Sequence, residues 1–268
     1  MGYFYLYDSF LQERSYAGQL VRLEATLTDL GLQGRIGRLT LLKSVRDLVE
    51  GAIREGADTV VAVGNDATLS QVVQATARHP KVTVGFLPFG DSQQELADLL
   101  GIPRGLTACH VLSGRIVEPI TLGKINSQYF LKSVTANGPL EITCDGSFRL
   151  TFEGVHELKV ANLDWWGAGY AHWPAGTVAV MLRPAASRRS WMLGSGSSGP
   201  ASVLPAGAVE VCSLAEEELP LTIDGYRTAK TPAVVSATNQ KVRLIVGKKR
   251  LLPEDRVGGV ENGAVPRK

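Results

Sequence analysis

Residues 59–75, TVVAVGNDATLSQVVQA, constrain this chain more than any other stretch. Val60, Val61 and Val63 form a β-branched run that breaks at Gly64, and Leu69, Val72 and Val73 then repeat at helical spacing. A buried strand that ends in a small-residue turn and opens a helix aims free backbone N–H groups at one point, which suits an anion such as phosphate. Asp66 is the unusual member. Its carboxylate repels a phosphate unless it caps the helix, holds a metal ion or takes part in proton chemistry.

The surrounding residues continue the same grammar. An aromatic strand at 3–7 precedes a helix carrying Tyr16, Leu20, Leu23, Leu27 and Leu30 on one face and stopping at Gly31. A strand at 37–42 follows, then Ser44 and Asp47 in capping-box spacing open a helix that ends at Gly56. After the strand at 59–63 and a helix at 69–77 come a strand at 82–88 and a helix at 93–100. Such alternation predicts a parallel sheet covered by helices.

Beyond about residue 112 the pattern changes. Phe148, Leu150 and Phe152 alternate with Arg149, Thr151 and Glu153, the period of a half-exposed strand. Further strands are expected at 116–122, 129–136, 155–161, 177–182, 209–214, 219–223 and 241–246, with a flexible loop at 194–202. The fold class expected is α/β followed by all-β: a parallel α/β nucleotide-binding domain at 1–115, an antiparallel β-sandwich at 116–250 and a tail at 251–268. Ligands then gather at the carboxyl ends of the parallel strands, facing the second domain.

Composition narrows the partners. A net charge of +2 without a basic stripe of interleaved aromatics gives no reason to expect nucleic acid. Arg188–Arg189 and Lys248–Lys249–Arg250 read as solvated surface in preference to contact with anionic lipid. Cys109, Cys144 and Cys212 lack paired spacing and fit reduced, buried thiols, and the four histidines offer no metal-ligand spacing. The first ten residues do not form a signal peptide, and no apolar run approaches the ~18 residues of a membrane span. A cytoplasmic protein whose membrane contact is peripheral is expected.

The residues now carry a resemblance. VVAVGNDATLSQVV resembles the VVxxGGDGTxxEVxN signature of the diacylglycerol kinase catalytic-domain family, shared more loosely with NAD kinases. GFLPFGDSQQELADLLGIP is similar to that family's second signature. Residues 120–138 contain its N-x-x-x-F-L pattern (Asn126, Phe130, Leu131), and LTIDGYRT at 221–228 resembles its late DGE motif. The matches occur in the family's order across about residues 1–250. The resemblance implies transfer of the γ-phosphoryl group of ATP, with Mg²⁺, to a lipid hydroxyl of diacylglycerol type at a membrane surface, and it leaves room for a homodimer. It assigns Gly64, Asn65, Asp66, Ala67, Thr68 and Gly90 to the nucleotide, and Asp224 and Asp66 to catalysis, with a carboxylate of the late motif as general base. It names no protein metal ligand.

Several positions depart from the pattern. Asn65 and Ala67 stand where the family has glycine, so an αL backbone there would cost about 1 kcal/mol or more at Ala67. Gln71 replaces a glutamate, and Asp91, Ser92, Gln93 and Gln94 replace the GTxN part of the second turn. Tyr226 replaces the glutamate of DGE, and Asp8–Ser9–Phe10 replaces an Asn-Pro-x-x-Gly turn. Asp66 as no more than a helix cap, Asp224–Gly225 as an ordinary turn, and Trp165–Trp166 as sandwich core are the plain structural alternatives. Three readings stand: a divergent lipid kinase, a catalytically impaired pseudokinase that binds nucleotide, lipid or a protein, and a small-molecule kinase of NAD kinase type.

Overall fold

The computed structural model describes residues 2–40, 43–90, 94–163, 176–184 and 202–252. Its first part is parallel: β1 (Tyr3–Tyr7), α1 (Ala17–Asp29), β2 (Gly34–Arg38), α2 (Val45–Arg54), β3 (Thr59–Gly64), α3 (Asp66–Thr76) and β4 (Thr83–Pro88). The strands lie in the order β4-β3-β1-β2. Val60, Val61 and Val63 are buried, as a strand covered on both faces requires. Each fully buried Val or Leu of this kind contributes about 1.5–3 kcal/mol. The Ser44 hydroxyl accepts from Asp47 N at 3.1 Å and so caps α2.

Two short helices follow, α4 (Glu95–Leu99) and α5 (Ala108–Gly114). The remaining strands are β5 (Val117–Ile125), β6 (Gln128–Phe130), β7 (Ser133–Cys144), β8 (Phe148–Ala161), β9 (Val178–Pro184), β10 (Ser202–Ala206), β11 (Ala208–Ser213), β12 (Pro220–Ile223), β13 (Arg227–Lys230) and β14 (Ala233–Ile245). The second half is antiparallel and β-rich, as its alternation predicts. β7 pairs with β12 along its first residues and with β11 along its last, bending at Gly138 where its register with β8 shifts. β14 runs antiparallel to β5 and then parallel to β4, so hydrogen bonding is continuous from one half to the other.

The cores follow this weave. One apolar cluster gathers the helices, β1, β3 and β4, and takes in Val242, Leu244, Ile245 and Val246 from the end of β14. A second lies among β7, β8, β9, β11, β12 and the start of β14. No helix among the described residues is long and apolar enough to cross a membrane.

Several expectations are corrected in detail. The second strand starts at Gly34 rather than 37, and α3 begins three residues earlier than its apolar repeat predicts. The expected strand at 129–136 is two strands, β6 and β7, whereas the stretches at 148–152 and 155–161 form one. α5, β10 and β13 were not expected. Residues 91–93, Trp165–Trp166, His172, Arg188–Arg189, most of the 194–202 loop and the tail from 253 lie outside the described residues.

Candidate functional site

The site begins where β3 becomes α3. Gly64 closes the strand, and a Cβ there would overlap the Thr68 hydroxyl and come within 3.0 Å of Asp8 Cβ, so no side chain fits. Asn65 is the N-cap: its Oδ1 accepts from Thr68 N at 3.2 Å, and its own N–H donates to Thr68 Oγ1 at 3.2 Å. Thr68 Oγ1 in turn donates to Asp8 Oδ2 from the end of β1. Asp8 also accepts from Ser9 Oγ at 3.2 Å and Phe10 N at 3.4 Å. Two donors that such a turn offers to phosphate, Asn65 N and Thr68 N, are therefore satisfied by the chain itself.

The backbone strain expected at Ala67 does not arise. Asn65 has φ −101°, and Ala67 lies in the first turn of α3 outside the positive-φ residues. Right-handed helix from Asp66 onward removes any requirement for glycine; what changes at these positions is side-chain occupancy. Gly90 has φ +90°, and its space is bounded by the Phe10 ring at 3.2 Å. It follows Phe89, whose N–H donates to Gly64 O at 2.7 Å, so both turns lie side by side at the strand ends.

Asp66 does not cap its helix. It is 2% exposed, and Oδ2 accepts from Leu96 N at 2.9 Å in the first turn of α4. Oδ1 has no hydrogen-bond partner. Burial raises its pKa to about 6, against the opposing pull of the Leu96 N–H and the Lys132 ammonium. Lys132 is itself paired with Glu95 of α4. Oδ1 is itself buried, so one oxygen of an enclosed carboxyl group is left without a partner.

Asp224 sits in the turn between β12 and β13 with φ 52°, an αL position that aspartate tolerates. It is 2% exposed. Oδ2 accepts from Ser70 Oγ and from Leu131 N at 3.0 Å; Oδ1 accepts from Lys132 N at 2.7 Å and Ser133 N at 3.2 Å. Arg227 Nη2 lies 3.6 Å from Oδ2. A carboxylate has about four lone-pair sites, and these four hydrogen bonds use them. Asp224 therefore anchors the start of β7 to α3. Leu131 belongs to the N-x-x-x-F-L stretch, so two motifs singled out in the sequence meet at this carboxylate.

Open space lies along the other face of α3. A cavity of about 280 Å³ is lined by Arg46, Gln71, Gln74, Arg78, His79, Tyr129, Tyr226 and Arg227. A wider one of about 1020 Å³ is lined by Asp8, Ser9, Gln12, Thr40 and Lys43. Ser44, Val45 and Gln71 border both, so they form one crevice from the strand ends to the β12–β13 turn. The Tyr226 hydroxyl and Arg227 Nε are buried without partners beside it. Neither Asp66 nor Asp224 lines either cavity. Both instead approach Lys132, one through its backbone N–H and the other through its charge. Among the described residues no three His, Cys, Asp or Glu side chains gather to hold a metal ion.

Sequence reasoning missed the parts played by Asp8, Ser70, Lys132 and Arg227. Ser70 stands one helical turn after Asp66, the only local signal available for it. Arg227 lies three residues after Asp224, whereas Asp8 and Lys132 act across distances that sequence spacing does not encode.

Residues 13–125 match the family model of the diacylglycerol kinase catalytic domain. A probable lipid kinase YegS-like protein of Pseudomonas aeruginosa is 34% identical over 103 residues, covering 38% of this chain and 34% of that protein. The diacylglycerol kinase of Bacillus subtilis is 34% identical over 99 residues, covering 36% and 32%. The match spans about a third of the length of these relatives. A crystal structure of a diacylglycerol kinase from Bacillus anthracis superposes with TM-score 0.70 at 17% identity, covering 92% of this chain and 97% of that one. Yeast NADH kinase, crystallised with NADH, reaches 0.54 at 13% identity, covering 98% and 84%. At those identities the structures speak for the fold alone. Residues 13–125, somewhat less than half of the chain, are thus similar to the diacylglycerol kinase catalytic domain, and the chain shares its fold with a bacterial diacylglycerol kinase.

Proposed function

We propose that the chain is a lipid kinase-like phosphotransferase, and that Asp66 rather than Asp224 accepts the proton of the attacking hydroxyl. The observation that carries this reading is the unpartnered Oδ1 of Asp66 on a carboxyl group with a pKa of about 6. A general base works best with a pKa near the operating pH and with a free lone pair. Asp224, with its lone pairs engaged, serves better as the anchor that fixes the two halves.

In this reading ATP lies at the strand ends with its phosphates toward the Gly64–Thr68 and Gly90 turns, Lys43 and Arg46 supply positive charge, and a diacylglycerol-like lipid is met at a membrane surface. Because Asp66 Oδ1 is buried and borders neither cavity, this reading requires the contact of Asp66 with Leu96 N to open; the hydroxyl oxygen then attacks the γ-phosphorus, its proton passes to Asp66 Oδ1, and the bond to the β–γ bridging oxygen breaks to release ADP. Mg²⁺, if bound with the nucleotide, would neutralise phosphate charge; among the described residues no cluster of acidic side chains gathers to hold it. Labelled ATP presented with a panel of lipid hydroxyls tests the proposal directly: transfer of label to a lipid supports it, and hydrolysis alone or no reaction contradicts it.

A second reading, a catalytically impaired member that binds a ligand in the same crevice, is favoured by a specific observation. Asp8 and Asn65 occupy the head of α3, and Asp8 brings negative charge to the place where phosphate is expected. Absence of Mg²⁺–ATP binding in the wild type, with binding restored by Asn65→Gly and Asp8→Ala together, would decide for it.

A further inference from the structure

A second cavity stands apart from the crevice and shares no lining residue with it. About 530 Å³ in volume, it opens between the end of α4, α5 and the chain leaving β14. That is within the roughly 300–1,000 Å³ of small-molecule pockets. Its wall is largely apolar, built from Ile102, Pro103, Val111, Ile116 and Val246. Its floor is rigid: Gly247 N donates to Leu100 O at 2.8 Å, and a Cβ on Gly247 would overlap the carbonyl of Gly101. At one rim stand Lys248 and Lys249, both exposed. The acidic group in the lining, Asp98, already faces Arg104 at 3.8 Å, and the neighbouring Arg250 is paired with Glu118 at 2.6 Å. The rim therefore offers two lysine charges that no carboxylate among the described residues balances.

An apolar slot with a two-lysine mouth matches one ligand chemistry, a hydrocarbon chain ending in an acidic head. The chain fills surface that water leaves favourably, and the ammonium groups hold the phosphate or carboxylate at the mouth. We propose that this cavity binds a single-chain anionic amphiphile, head group against Lys248 and Lys249 and chain against Pro103, Val111 and Ile116. The cavity also adjoins α4, whose first turn holds Asp66 through Leu96 N, so an occupant would press on the element that positions that carboxyl group.

The test uses the full chain and three probes of equal chain length below their micelle concentrations: dodecyl phosphate, dodecyl maltoside and dodecyltrimethylammonium. Titration calorimetry should show saturable binding of dodecyl phosphate, tighter than either of the others by about tenfold or more. Lys248→Glu with Lys249→Glu should remove that preference while leaving the melting temperature unchanged, since both side chains are exposed. Gly114→Leu should weaken all three probes, because a side chain added at that lining position meets no atom within 4 Å and extends into open space. Equal binding of the three head groups, or insensitivity to the double lysine exchange, overturns the proposal. So does a wild type that binds no probe, whether its sedimentation is monomeric or shows the face closed by a second copy. Because these readouts involve neither ATP nor turnover, they fail or succeed independently of the kinase reading.

Discussion

Ser70 of α3 donates its hydroxyl hydrogen to Asp224, a residue 154 positions later in the chain. Through that contact the helix following the phosphate-type turn is fastened to the carboxylate that also holds the backbone of Leu131, Lys132 and Ser133. Gln74, one turn further along α3, accepts from Tyr129 N at 2.8 Å and continues the seam.

The seam makes a stability prediction. Asp224→Ala leaves three backbone N–H groups without their acceptor, and loss of one partner from a buried charged network costs about 3–5 kcal/mol. A fall of roughly 10 °C in melting temperature is expected for a chain of this size. Asp224→Asn, which keeps acceptor oxygen at one position, should lose less. Equal stability of Asp224→Ala and wild type would show that the junction is held by apolar packing alone.

Asp66 makes a prediction about pH with a definite sign. Its carboxyl group holds a proton to about pH 6 in the folded state, against an ordinary value of 3.8. Between those two values the folded state binds more protons than the unfolded one, so stability falls as pH rises. The loss amounts to about 3 kcal/mol across that window. Asp66→Asn removes the ionisation and keeps an acceptor for Leu96 N. Urea unfolding should therefore show the variant gaining on wild type from pH 4 to 6 and holding that gain above it; parallel profiles would refute the raised pKa.

The head of α3 makes a prediction about ligands. Asn65 Oδ1 occupies the Thr68 N–H and Asp8 occupies the Thr68 hydroxyl, so removing both side chains should expose an anion site. Asp8→Ala with Asn65→Gly is expected to tighten binding of inorganic triphosphate by at least tenfold, or about 1.4 kcal/mol. Unchanged affinity would mean that phosphate never enters there.

Much of this architecture was legible because its signals are local. Val60 to Val63, the break at Gly64 and the Ser44–Asp47 capping box each specify their element within a few residues. α5 is seven residues long, too short for an apolar repeat to declare itself, and the reading of the sequence assigned no helix there. The site was legible as a place and less so as chemistry. Gly64, Asn65, Thr68 and Gly90 do come together, but the direction of Asp66 depends on Leu96, and the confinement of Asp224 depends on residues 70 and 131–133. Hydrogen bonds between distant segments decide which carboxylate has a free lone pair, and composition and spacing carry no record of them.

The central claim is that Asp66 Oδ1 receives the proton of the acceptor hydroxyl. Its most direct test is the pH dependence of lipid phosphorylation by wild type and by Asp66→Asn, at saturating Mg²⁺–ATP. The account predicts a wild-type rate that rises through a pKa near 6 and a loss of about 10²–10⁴-fold in the variant. A variant that retains the wild-type rate and its pH profile would contradict it.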